Sequence, residues 1–316
     1  MELEKKRSLL GKIILLIVTI IWGSSFVILK DTLNSLDGKF TFFILAVRFF
    51  IASAIIFALF FKRITKSNKT TIYKGVALGV ILFSAYSIQT VGLNYTTPSK
   101  NAFLTVVYCV LVPFLSWLIL KRKPKIKNYL AAILCFVGVA FVALLGKNEN
   151  ASNELLGDCL TLCCGLFYAL QIIFIEKHAH NEDSIQILFY ELLTVALICT
   201  GFTSFYEFPQ NYSYFSLSGE AIWKILYLAV FATCFAQFGQ IIGQKYTSPT
   251  STSLILSLET VFGVIFDLLL GNAKLTPFII IGFSMIFIAE IVNELSFTTI
   301  KNKILERKKA KINDKN

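Results

Sequence analysis

The sequence predicts an all-α membrane protein of ten transmembrane helices, built as two inverted five-helix repeats with both termini cytoplasmic. Three observations lead there. The chain is far too apolar for a soluble domain: of 316 residues, 56% are hydrophobic and 16% charged, with a mean hydropathy of +0.70, where soluble chains carry roughly 25% charged residues. Its apolar residues gather into runs close to the roughly 20 residues that cross a bilayer. One segment also recurs: residues 85–98 align without a gap to residues 236–249, with Ala, Gln, Gly, Tyr, Thr and Pro in register.

The first twelve residues are basic, and the apolar run behind them continues to about Lys30 without a small-residue cleavage site. That is a first span rather than a secretory signal. Reading apolar runs against charged breaks places spans near 13–30, 40–61, 73–93, 102–120 and 129–145. A second group lies near 155–175, 185–205, 222–242, 252–270 and 278–295. The chain thus divides into a cytoplasmic N-terminus (1–12), a first repeat (13–146), a connecting loop (147–154), a second repeat (155–295) and a basic cytoplasmic tail (296–316).

Cations set the orientation, because Lys and Arg flanking spans stay on the cytoplasmic side. One face collects Lys5, Lys6, Arg7 and Lys12, then Lys62, Arg63, Lys66, Lys69 and Lys74, then Lys121, Arg122, Lys123, Lys125 and Lys127, and the tail; the other holds Lys39, Lys100, Lys147, Lys224 and Lys274. The net charge of +11 therefore reports topology and not nucleic-acid binding. Each half has an odd number of spans, so the halves enter the membrane in opposite senses. Inverted repeats of nearly equal energy can exchange conformations around a shared site, as secondary carriers do.

The order of motifs along the chain resembles the drug/metabolite transporter superfamily, specifically its EamA-type ten-helix carriers. Trp22-Gly23-Ser24-Ser25-Phe26 with Lys30 resembles the opening helix, and Arg48-Phe49 the second-helix arginine. Tyr95 to Pro98 leading to Pro113 resembles the fourth helix, and Gly157-Asp158 the start of the second half. Where the family often closes its fourth and ninth helices on a Gly-Glu turn, this chain reads Leu120-Lys121-Arg122-Lys123 and Gly271-Asn272-Ala273-Lys274. The resemblance implies a central cavity lined by the first four helices of each half, peripheral fifth and tenth helices, and export of amino acids or similar small metabolites.

Polar groups inside the hydrocarbon are costly unless paired or facing a cavity. Gln237, Gln240 and Gln244 form such a stripe at helical spacing, with Tyr86 and Gln89 as counterparts in the first half. Asn101, Thr105 and Tyr108 share a face of the fourth span. Tyr168 with Gln171, and Ser253 with Ser257 and Thr260, behave alike, and Trp22 and Ser25 join the substrate-binding candidates. Hydrogen bonding to neighbouring helices is the plainer reading of such groups. An amide-and-phenol cavity without fixed cations would suit neutral or zwitterionic ligands.

Glu259, in the middle of the ninth span, is a candidate proton carrier. Arg48 and Glu191 lie within the second and seventh spans as a candidate ion pair, whereas Asp267 and Glu290 sit nearer span ends and are expected to snorkel. The seven cysteines lack zinc-type spacing and read as packing residues. His178 and His180 read as solvated in a polar loop beside Glu176, Glu182 and Asp183, and no metal or other cofactor is expected.

The expectation is a multi-pass secondary transporter of the cell membrane, not an enzyme. Its partners are a small-molecule metabolite and the lipid bilayer, with a homodimer admissible. The chain has no Walker loop to drive transport by ATP and no His-Glu-x-x-His or paired catalytic motif. An intramembrane enzyme and a non-transporting membrane subunit are the competing readings.

Overall fold

The computed structural model describes residues 2–143, 151–179, 182–270 and 276–294. The tail 296–316, His180, Gly271 to Lys274 and the 147–150 part of the connecting loop lie outside the described residues. Among the described residues ten helices run back and forth in chain order: α1 (Glu2–Ser35), α2 (Thr41–Ile64), α3 (Lys69–Tyr95), α4 (Pro98–Leu120), α5 (Ile126–Ala143), α6 (Ala151–Ala179), α7 (Ser184–Tyr214), α8 (Gly219–Gln244), α9 (Pro249–Leu269) and α10 (Pro277–Glu294). Eight are long and apolar enough to cross a membrane, and α5 and α10 contain shorter apolar stretches.

Several boundaries differ from the hydropathy reading, because a helix continues into water wherever its end is capped or paired. α1 takes in nearly all of the N-terminal segment expected to precede it. α6 begins inside the expected connecting loop and runs through His178 to Ala179, so His178 belongs to a helical turn and not a loop. Short polar side chains fix the other starts. The Asn68, Asp183 and Ser218 side chains accept from the Thr71, Ile185 and Ala221 amides, as N-caps do. Pro98 and Pro249 open α4 and α9 at the first helical turn, behind Thr97 and Ser248 caps.

The halves interlock rather than stand side by side. α3 packs on α6 as α8 packs on α1, α4 on α6 as α9 on α1, and α3 on α7 as α8 on α2; α2 meets α7 and peripheral α5 meets α10. A Cβ built on Gly92 would lie 3.0 Å from the Gly157 carbonyl, and one on Gly157 2.9 Å from that of Gly92. On the opposite pair, Gly243 and Gly11 give 3.0 and 2.9 Å in the same sense. These contacts fix the register between halves. Counted from them, Tyr168, Gln171 and Glu176 of α6 stand where Trp22, Ser25 and Lys30 stand in α1.

At the basic face, ion pairs join first-half cations to second-half anions: Arg63 to Asp183, Lys74 to Glu182 at 2.6 Å and Arg122 to Glu176 at 2.7 Å. At the far face, Lys100 meets Asp158 at 2.6 Å and Lys224 meets Asp31 at 2.8 Å. Hydrogen bonds from Lys74 and from Thr71 hold the Glu182 carboxyl below the usual carboxylate range. A depressed carboxylate contributes stability above its unfolded pKa and loses it as pH falls through the folded value. Glu182→Gln is therefore expected to flatten the acid limb of a melting-temperature profile; an unchanged limb would show that this pair does not contribute.

Five cysteines are buried, as expected of packing residues, whereas Cys159 and Cys163 are exposed on α6. Asp267 departs from expectation. It is 4% exposed and bonded to Ser99 of α4, because the α4–α9 packing covers the route its short side chain would need to reach water. No side-chain position is described for Glu290.

Candidate functional site

Two helices break where the halves meet. α4 is interrupted at Val106–Val107 and α9 at Leu258, equivalent positions in the repeat. Tyr108 and Glu259 begin the segments beyond the breaks, and the Tyr108 hydroxyl donates to Glu259 Oε1 at 3.2 Å. Discontinuous helices near the midplane are how inverted-repeat carriers expose polar groups there. α8 is also irregular, winding as a π-helix over Leu228–Phe235. Within that stretch the Ala232 carbonyl accepts from the Trp22 indole at 2.9 Å, and Thr233 accepts from Arg48 Nε at 3.2 Å. Helical irregularities of this kind recur at functional sites.

Between the halves lies a cavity of about 40 Å3, room for a few waters. Its wall includes Trp22, Ser25, Tyr86, Gln89, Tyr108, Tyr168, Gln171, Gln240, Arg48 and Glu259, all singled out from the sequence. The wall also uses Phe26, Leu29, Ile172 and Leu256; these apolar residues carry no signal separating them from core. Tyr168 donates to Gln89 Oε1 at 2.6 Å, and Gln89 Nε2 to Thr105 at 2.9 Å. Tyr86 and Tyr168 stand edge to face at 5.7 Å between ring centroids.

Four expected site residues lie behind this wall. Gln237 donates to the Tyr86 hydroxyl at 3.1 Å and accepts from Gln171. Asn101 Nδ2 donates to the Gln89 carbonyl and to Thr161 Oγ1, tying α4 to α3 and α6. Glu191 accepts from Gln171 Nε2 at 2.9 Å. Gln244 is buried, with no hydrogen-bond partner on either amide atom among the described residues. In α9, Ser253, Ser257 and Thr260 bond to carbonyls of their own helix, the plainer of the two readings.

Two electrostatic expectations need correction. Arg48 and Glu191 do not pair: Arg48 points to Thr233 and lies 5.5 Å from the Tyr86 ring centroid, while Glu191 is held by Gln171. Helix α2 turns the guanidinium toward the cavity and α7 turns the carboxyl behind α6. The cavity consequently has a fixed cation, contrary to the amide-and-phenol expectation. Arg48 is 1% exposed and its Nη1 lacks a partner among the described residues. Among the described residues, no cluster of His, Cys, Asp and Glu could hold a metal ion.

A bundle of membrane-crossing helices with interlocked halves, broken helices and a polar cavity between them defines a polytopic membrane transporter. The comparisons specify it further. The profile of the EamA-like transporter family matches residues 9–144 and 155–293, once in each half, and the chain belongs to that family. An uncharacterized transporter of Archaeoglobus fulgidus is 32% identical over 281 residues, covering 89% of this chain and 84% of the relative. Solute carrier family 35 member F2 of Mus musculus is 24% identical over 234 residues, 70% of this chain and 60% of its own. A solved crystal structure shares the fold, with a TM-score of 0.69 at 14% identity over 90% of this chain and 98% of its own.

Proposed function

We propose that the protein is a secondary carrier exporting amino acids or similar neutral or zwitterionic metabolites, by alternating access of the cavity between its halves. One observation carries the substrate class: the charged side chains of the cavity wall are one guanidinium, Arg48, and one carboxyl, Glu259. That pair can meet a carboxylate and an ammonium at once, while the tyrosines and glutamines supply neutral hydrogen bonds. At about 40 Å3 the cavity is far below the roughly 300–1,000 Å3 of ligand pockets. Solute entry therefore requires the helices to part, and the ion pairs at both faces fit an occluded stage. The basic face is taken as cytoplasmic, because the cations flanking the spans crowd there.

Flux in proteoliposomes over labelled amino acids and neutral metabolites, with and without a pH gradient, tests the reading. Wild-type protein is expected to give saturable flux. Gln240→Ala, which removes a wall amide, should raise KM roughly threefold to tenfold. Glu259→Gln should abolish any response to the pH gradient. Absence of flux for every solute would reject a carrier in favour of a membrane subunit or enzyme.

A further inference from the structure

The cavity is closed differently toward its two faces. On the far side, the α3 position one turn beyond Gln89 is Leu93, fully buried in an apolar cluster with Leu29, Leu33 and Phe40. There the Lys30 ammonium is tied to the Leu93 and Asn94 carbonyls at 2.6 and 3.1 Å. On the basic side, the equivalent α8 position is Gln244, one turn beyond Gln240. It is 2% exposed, and among the described residues neither its amide nitrogen nor its oxygen has a partner. A buried amide without partners is a net cost to folding. The fold already accommodates leucine at the matching position, so packing does not explain the glutamine.

Beyond Gln244 opens a vestibule of about 400 Å3. Glu176 lines it, 6% exposed and one turn past the cavity residue Ile172 on α6. Arg122 Nη1 lies 2.7 Å from its Oε1, and Arg7 and Lys245 add cations and Glu4 a second carboxyl around the rim. A carboxyl with a guanidinium thus occurs in both spaces, as Glu259 with Arg48 in the cavity wall and Glu176 with Arg122 in the vestibule. The repeat relation does not account for this recurrence, because the counterpart of Glu176 is Lys30.

We infer that the vestibule is a second solute site, binding a zwitterionic small molecule through Glu176 and Arg122 and exchanging it with the central cavity past Gln244. This rests on the carrier reading above. A zwitterion can replace the ion pair without stranding either charge, its ammonium on Glu176 and its carboxylate on Arg122. Gln244 supplies the amide contact between the two sites.

The test uses the reconstituted full chain and a pool of labelled zwitterionic amino acids, offered at one face at a time. The double variant Glu176→Gln, Arg122→Gln is expected to raise KM about tenfold for solute offered at the basic face and to hold it within about twofold at the far face. Gln244→Leu should cut maximal flux about tenfold in both directions, and it stays informative if the double variant does not fold. Lys74→Gln breaks a different ion pair on the same face and should change neither KM. A KM for the double variant that is unchanged, or raised equally at both faces, overturns the vestibule site, as does full flux through Gln244→Leu. Wild-type protein that moves none of the pool overturns the zwitterionic solute class on which both sites rest, and the carrier reading itself falls only if the neutral metabolites are not moved either, results distinguishable from those of the variants.

Discussion

Arg48→Gln is expected to leave the protein at least as resistant to heat as the wild type while lowering transport about 10- to 100-fold. The guanidinium is 1% exposed within the membrane-crossing bundle. It has one hydrogen bond, to Thr233, and a ring face, Tyr86, but no carboxylate within salt-bridge distance among the described residues. A buried charge so poorly compensated is a net cost to folding, and a neutral residue of similar shape removes it. A contact to a charged group is worth roughly 1.5–3 kcal/mol, which converts to the stated loss when the partner is the solute. Arg48→Lys should not restore transport, because an ammonium cannot present two parallel donors to a carboxylate. Thermal unfolding in detergent together with flux in proteoliposomes decides the matter. Normal flux in Arg48→Gln, or loss of flux only through unfolding, would remove Arg48 from the binding site and with it the argument for a zwitterionic solute.

That arginine also shows where sequence reading stops. Polar residues at helical spacing on apolar helices announce an inward face, so Tyr86, Gln89, Gln171 and Gln240 stand out from the amino-acid pattern alone. Their ranking does not. Gln240 and Gln244 look alike in sequence, yet one lines the cavity and the other lies beyond it, because depth along a helix depends on where the neighbouring helices part. The partner of Arg48 is hidden for a related reason: α2 and α7 pack together, but the rotation of each helix decides which way its charge faces. The breaks at Val106–Val107 and Leu258 carry no Gly or Pro of their own; tertiary packing makes them, and only the recurrence of the halves hints that they match. Hydroxyls mislead in the other direction. Ser253, Ser257 and Thr260 form a polar stripe, but a short side chain on a helix readily bonds to the carbonyl three or four residues back.

The tight approach of α3 to α7 yields the largest expected effect on folding. Gly75 and Gly79 lie one turn apart on α3 and face α7. A Cβ on Gly79 would fall 2.5 Å from the Thr194 Cβ and 2.7 Å from the Glu191 carbonyl, and one on Gly75 would fall 2.6 Å from the Tyr190 Cβ. These neighbours are backbone and Cβ atoms, which no rotamer change can move, so a methyl group must push the two helices apart. Overpacking of this kind typically costs about 1–3 kcal/mol, and small residues one turn apart are the usual means of close helix approach in membranes. Gly79→Ala is expected to lower the melting temperature of the detergent-solubilised protein by several degrees, and Gly79→Leu to prevent accumulation of folded protein. Displacing α7 at Glu191 would also disturb the Gln171 amide that this carboxyl holds, so surviving Gly79→Ala protein should transport more slowly. Gly201→Ala provides the comparison: among the described residues nothing lies within 4 Å of its added Cβ, and reducing the freedom of the unfolded chain should stabilise by about 0.4–1 kcal/mol. Equal effects of the two alanines would mean that α3 and α7 do not meet at the distance described, and the register between the halves would have to be redrawn.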